Sequence, residues 1–208
     1  MVDSDTKVPF NEAAFACIDF ETTGFSQKSD RVLEVAVVIV QQGQIGDIWT
    51  TLINPGDGKA LGASHVHGIR KEWLFQAPSF AEIAGDLFNS FDGKVIVAHN
   101  VNFDLGFLRA ELSRAQLLPH GLLFPNWDTM KAAEFAPKET ASKKLRDVAK
   151  AFDITVENAH QALDDTLAVA KIISAVTPII GDSVLFNTFE APGKSHQSGQ
   201  RRLRPTLS

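Results

Sequence analysis

With a single cysteine, Cys17, in 208 residues, the chain has no partner for an internal disulfide and no thiolate set for a zinc cluster. Cys17 lies inside an apolar run and reads as a buried small hydrophobe. No stretch reaches the roughly 20 consecutive apolar residues of a membrane span, and the start, through Thr6, is polar and acidic rather than signal-like. The expectation is a cytoplasmic protein with no membrane contact. Cations are in deficit, 20 Lys and Arg against 25 Asp and Glu, a formal charge of -5. That field repels a polyanion at long range, yet two bound divalent ions would cancel most of it, so net charge neither supports nor excludes nucleic acid. The rest, 44% hydrophobic and 22% charged, is ordinary for one substantial globular domain.

Residues 14–20 and 31–41 read as strands, the second almost continuously apolar as a strand covered on both faces is, and 44–53 as a third. Gln42-Gly43 supplies a tight turn, which makes this part an antiparallel meander. Beyond a loop at 54–62 the period changes. Phe80, Ile83, Ala84, Leu87 and Phe88 keep helical spacing, 94–98 is a short strand, and 102–115 is helical again. Trp127-Asp128-Thr129 opens another helix, Leu145, Val148, Ala149 and Phe152 mark a short amphipathic one, and 160–176 forms the last long one. This order predicts an α/β fold: a mixed sheet, antiparallel meander then parallel strands, with helices on both faces. The folded domain is placed at 14–182, after a polar segment 1–13. The tail, 183–208, reads as solvated and mobile, while Lys194, Arg201, Arg202 and Arg204 also permit a basic arm for nucleic acid or a partner.

Two carboxylates one residue apart end the first apolar run, in Ile18-Asp19-Phe20-Glu21-Thr22-Thr23-Gly24. On an extended strand Asp19 and Glu21 share a face. Either the strand turns polar at its tip, or a cation sits between two groups that otherwise repel. A third acid, Asp104, stands in His99-Asn100-Val101-Asn102-Phe103-Asp104, where strand gives way to helix. Asn100 or Asn102 could cap that helix. Leu105, Phe107 and Leu108 follow Asp104 and put it among groups that would be buried. The last helix carries His160-Gln161-Ala162-Leu163-Asp164-Asp165. Asp165 continues into Val169, Ile172 and Val176 at helical steps, so it is the inward candidate, and Asp164, in line with Ala168 and Lys171, is the bystander. Four carboxylates select hard cations, magnesium or manganese. Two such ions can clamp an in-line displacement at phosphorus, and an imidazole is suited to take a proton from the attacking water near neutral pH.

These three stretches, in this order and spacing, resemble the motifs of the DEDD 3'-5' exonucleases of the histidine variant, the nearest branch being the proofreading epsilon subunits of bacterial DNA polymerase III. The resemblance covers about residues 15–180 and implies a ribonuclease H-like, five-stranded mixed sheet. It implies that Asp19, Glu21, Asp104 and Asp165 hold two divalent cations, Mg2+ or Mn2+, with Asp19 bridging, and that His160 is the general base. Thr22, Thr23, Gly24, His99, Asn100 and Phe103 match substrate-binding positions, and Val66-His67-Gly68-Ile69 a substrate-side stretch in which His67 has a structural role as an equal alternative. The implied substrate is a DNA 3' end, single-stranded or frayed, with release of nucleoside 5'-monophosphates in proofreading or repair and a DNA polymerase subunit as a possible partner. RNA processing, as by an oligoribonuclease-like or ribonuclease T-like protein, is the alternative substrate class. A non-catalytic polymerase docking module is the alternative outside enzymes.

Overall fold

Strand β1 (Lys7–Pro9) enters the fold, and β2 (Ala14–Thr22), β3 (Val32–Gln41) and β4 (Gln44–Leu52) form the expected meander. β-branched residues dominate β3, which suits a pleated surface buried on both sides. The β3–β4 turn needs two successive positive φ angles, 50° at Gln42 and 73° at Gly43, matching the twist of a tight hairpin. The computed structural model describes residues 7–56, 60–62, 64–118, 120–158 and 160–187. Residues 188–208 of the tail placed at 183–208, with its basic residues, lie outside them, like part of the loop at 54–62.

Two short helices follow, α1 (Ser64–His67) and α2 (Lys71–Leu74), then α3 (Phe80–Phe91), β5 (Lys94–Ala98) and α4 (Val101–Arg114). Ser79 and Glu82 close a capping box at the start of α3, with the Glu82 carboxylate accepting the Ser79 N–H at 2.7 Å. Strand β6 (Asn126–Asp128) leads into a 3-10 segment, Thr129–Phe135, where the sequence reading opened a helix. Helices α5 (Leu145–Ala151) and α6 (Ala162–Ile180) and strand β7 (Leu185–Asn187) complete the chain.

The sheet order is β4-β3-β2-β5-β6, antiparallel among the first three strands and parallel from β2 through β5 to β6. Ile18, Phe20 and Ile96 join the side chains of α3 and α4 on one face, and Phe15, Cys17 and Val97 join those of α5 and α6 on the other. Each large side chain buried this way contributes roughly 1.5–3 kcal/mol. β1 and β7, from segments the sequence reading set outside the domain, pair antiparallel and bring Phe10 and Phe186 against Phe15. Among the described residues no helix is long and apolar enough to cross a membrane.

Candidate metal centre

Alternation along β2 sets the centre. Phe15 and Cys17 face α6, so Asp19 and Glu21, two and four residues beyond Cys17, continue that face to the end of the strand. Asp165 comes to them from the first turn of α6, whose stripe of Val169, Ile172 and Val176 is fully buried as its spacing foretold. One carboxylate oxygen from each of Asp19, Glu21 and Asp165 lies within 4.8 Å of the others. Asp104 reaches the same strand from the first turn of α4: it is 2% exposed and its Oδ1 accepts the Phe20 N–H at 3.3 Å. Two helix N-termini thus point toward the acids, the favourable end of each dipole.

Burial first, then the charges of Asp104, Glu21, Asp165 and Glu34, hold the Asp19 carboxyl well above the usual carboxylate range. Burial also raises Asp104 against the opposing Phe20 hydrogen bond, and raises Asp165 against the His160 N–H, the His160 ring and Arg146. Such a set resists ionisation until a cation neutralises it, and an all-oxygen donor set fits hard divalent ions.

A pH dependence follows. A carboxyl whose folded pKa exceeds its unfolded value stabilises the fold fully below about pH 4 and loses that contribution as pH rises through the folded value. The contribution of these acids is therefore expected to fall as pH rises from about 4, so that over the same pH range the metal-free wild type loses more melting temperature than Asp19→Asn, by about 2–4 °C for each kcal/mol lost. Differential scanning fluorimetry with chelator checks this: Asp19→Asn flattens the slope, and saturating magnesium removes it from the wild type.

The sequence reading placed His160 within the last helix, and the structure corrects this. Helix α6 begins at Ala162, and His160 precedes it with φ 66°, exposed, its backbone N–H donating to Asp165 Oδ2 at 3.0 Å. The turn keeps the ring out of the helical stack yet ties its backbone to an acid of the cluster. Asn100 also departs from expectation: its side chain makes no cap bond to α4. Instead Asp128, at the end of β6, accepts the N–H groups of Asn100 and Val101, each at 3.1 Å. Asn100 itself is exposed, in the left-handed region.

His99 is half-buried, its Nδ1 3.0 Å from the Thr129 hydroxyl and its Nε2 2.7 Å from the Lys143 carbonyl, and burial lowers its pKa. Both ring nitrogens therefore already hold protein partners. Thr22 donates its hydroxyl to the Gly24 carbonyl at 2.7 Å, and the Thr23 hydroxyl accepts the Arg31 N–H at 3.0 Å, so the threonines shape the loop that follows β2. Asp30 closes so near Gly24 that a Cβ there would lie 2.5 Å from its carboxylate. Buried Glu111 anchors the far side, taking Arg31 Nε at 2.8 Å and Nη2 at 3.0 Å, a bidentate pair. His67 is buried, its Nδ1 accepting the Ile69 N–H at 3.0 Å and its Nε2–H donating to the Leu61 carbonyl at 3.1 Å. Those bonds tie Leu61 and Ile69 to the end of α1, and Gly62 packs on Thr23: a Cβ at Gly62 would lie 1.7 Å from the Thr23 carbonyl.

Phe103 is half-buried against Phe107, ring centroids 5.0 Å apart, and meets Phe25 at 6.4 Å. Phe25, 89% exposed beside Gly24, is a functional candidate the sequence reading missed, although an apolar aromatic just after the acid motif was a visible signal. Glu34 was missed as well. It is 4% exposed and is the one charged residue in the apolar run of β3.

The exonuclease family pattern matches residues 16–173. The DNA polymerase III epsilon subunit of Treponema pallidum is 32% identical over 163 residues, covering 78% of this chain and 76% of that protein. A PolC-type DNA polymerase III of Clostridium perfringens is 29% identical over 179 residues, 83% of this chain but only 12% of the polymerase. Among solved structures, E. coli exonuclease I in complex with a dT13 oligonucleotide superposes with a TM-score of 0.70 at 22% identity, over 82% of this chain and 43% of that one. That likeness is one of fold, the mixed sheet with flanking helices.

Proposed function

Because this chain belongs to the exonuclease family, we propose that it is a two-metal-ion 3'-5' exonuclease releasing nucleoside 5'-monophosphates from single-stranded or frayed DNA 3' ends, in proofreading or repair. The observation that carries the reading is the convergence of Asp19, Glu21 and Asp165 beside buried Asp104. These four carboxylates would hold the cations, magnesium or manganese. Two such ions, when bound, polarise the phosphoryl oxygens and offset the charge that develops on the attacking and leaving oxygens.

The chain's own groups do the rest. His160 accepts a proton from the water whose oxygen attacks phosphorus; the P–O3' bond breaks, the departing 3' oxygen takes a proton from solvent so that the strand keeps a 3'-hydroxyl, and the nucleotide leaves with its 5'-phosphate. The exposed face of Phe25, backed by Phe103, stacks the terminal bases without regard to sequence, as degradation through any sequence requires. The turn of Thr22, Thr23 and Gly24 supports Phe25 beside the acids. DNA is chosen over RNA because the related epsilon subunit and PolC-type protein are DNA polymerase III components, and the polymerase partner is part of the same proposal.

The test compares magnesium-dependent digestion of matched DNA and RNA oligomers, labelled at the 5' end. Stepwise shortening from the 3' end with DNA preferred supports the reading, and RNA preferred at equal ends moves it to RNA processing. Within it, Phe25→Ala is expected to raise KM roughly tenfold, since stacking on one aromatic is worth about 1–3 kcal/mol. The melting temperature stays unchanged because the ring is exposed.

A further inference from the structure

Glu34 has no part in the four-carboxylate set, yet its surroundings are those of the set. It stands directly opposite Glu21 in the β2–β3 pairing, and its charge is one of those felt by Asp19. Like charges facing each other across a strand pair are unfavourable, and an acid 4% exposed among others costs more still. A hydrogen bond ties it to α6. Glu34 Oε2 accepts the backbone N–H of Ala162, the first residue of α6, at 3.3 Å. Asp165 lies one turn further along, bonded through its carboxylate to the N–H of His160, and through its own N–H to the Gln161 carbonyl at 3.1 Å. A carboxylate on the central sheet therefore holds the turn that carries both Asp165 and His160, at the favourable end of the helix dipole.

We propose that Glu34 is a positioning residue: it seats the first turn of α6 on β3 so that Asp165 meets Asp19 and Glu21 as a donor set for divalent cations. The inference rests on the two-metal reading above.

The test is manganese binding to the metal-free full chain by isothermal titration calorimetry, with circular dichroism to verify folding, for the wild type and for Glu34→Gln, Glu34→Asp and Glu34→Ala. Gln keeps an oxygen acceptor at the same reach without the charge, and Asp keeps the charge one methylene short. Groups that orient metal ligands typically set about 10–100-fold in affinity, so Asp and Ala are expected to bind manganese at least about tenfold more weakly and Gln to stay near the wild type. A purely structural role would lower the melting temperature and leave affinity alone; four equal affinities, all abolished by Asp19→Asn, overturn the positioning role while the metal site stands. Asp near the wild type with Gln weak makes charge the cause and also overturns it. Should the Ala variant fail to fold, the order of Gln and Asp decides. Wild-type binding indifferent to Asp19→Asn overturns the two-metal reading and this inference together.

Discussion

Asp19→Asn is expected to slow digestion of a 3'-ended oligonucleotide by about a thousandfold or more, because a bound metal pair supplies several kcal/mol of transition-state stabilisation and each 1.36 kcal/mol is tenfold in rate. The residue lies in the second half of β2, and its charge is opposed by burial and by neighbouring acids. Asparagine keeps the shape and removes that charge. The metal-free variant should therefore be as stable as the wild type or more so, since a repelled carboxylate is gone, while magnesium no longer raises its melting temperature. Single-turnover digestion and thermal melts with and without magnesium read both effects. Wild-type rates with normal magnesium stabilisation would remove Asp19 from the centre.

The second large effect is expected for His160→Ala, a loss of about 10²- to 10⁴-fold in kcat, the usual contribution of a positioned general base. The imidazole is exposed and precedes α6, so its truncation leaves no cavity, and metal affinity and melting temperature should hold. Its backbone N–H to Asp165 is unaffected by the substitution. The residual rate should rise with hydroxide concentration, because water then arrives already deprotonated. A variant within a factor of a few of the wild type would place the base elsewhere.

The acids were legible because carboxylates interrupting apolar periodicity are costly, and their spacing on strand and helix told which way each faced. Asp165 is the clearest case, since its stripe through Val176 defined the buried side of α6. What escaped the sequence reading depends on contacts between distant segments. Strand β6 has three residues and no period of its own; pairing with Ile96, Val97 and Ala98 makes it a strand. The same pairing delivers Asp128 to the start of α4, a cap from 28 residues away that no local motif announces. β1 and β7 are strands because they meet each other. Helix α6 runs on to Ile180 through Pro178, beyond the predicted end at 176, and Val176, Thr177 and Ile180 are buried there. Left-handed residues at Asn100 and His160 stand just before the starts of α4 and α6, where the side chains alone give no warning. Glu34 was hidden by its neighbours: a strand otherwise apolar from Val32 to Val40 reads as core, and its single acid gains meaning only when α6 is laid on it.

The most direct measurement is anomalous diffraction from crystals of the full chain grown or soaked with manganese and a nucleoside 5'-monophosphate. Two manganese peaks are expected, with Asp19 contacting both and Glu21, Asp104 and Asp165 around them, at least one ion touching the phosphate, and the His160 ring turned toward that phosphate. Manganese bound away from these carboxylates, or no ordered ion among them at concentrations that support digestion, would contradict the two-metal reading.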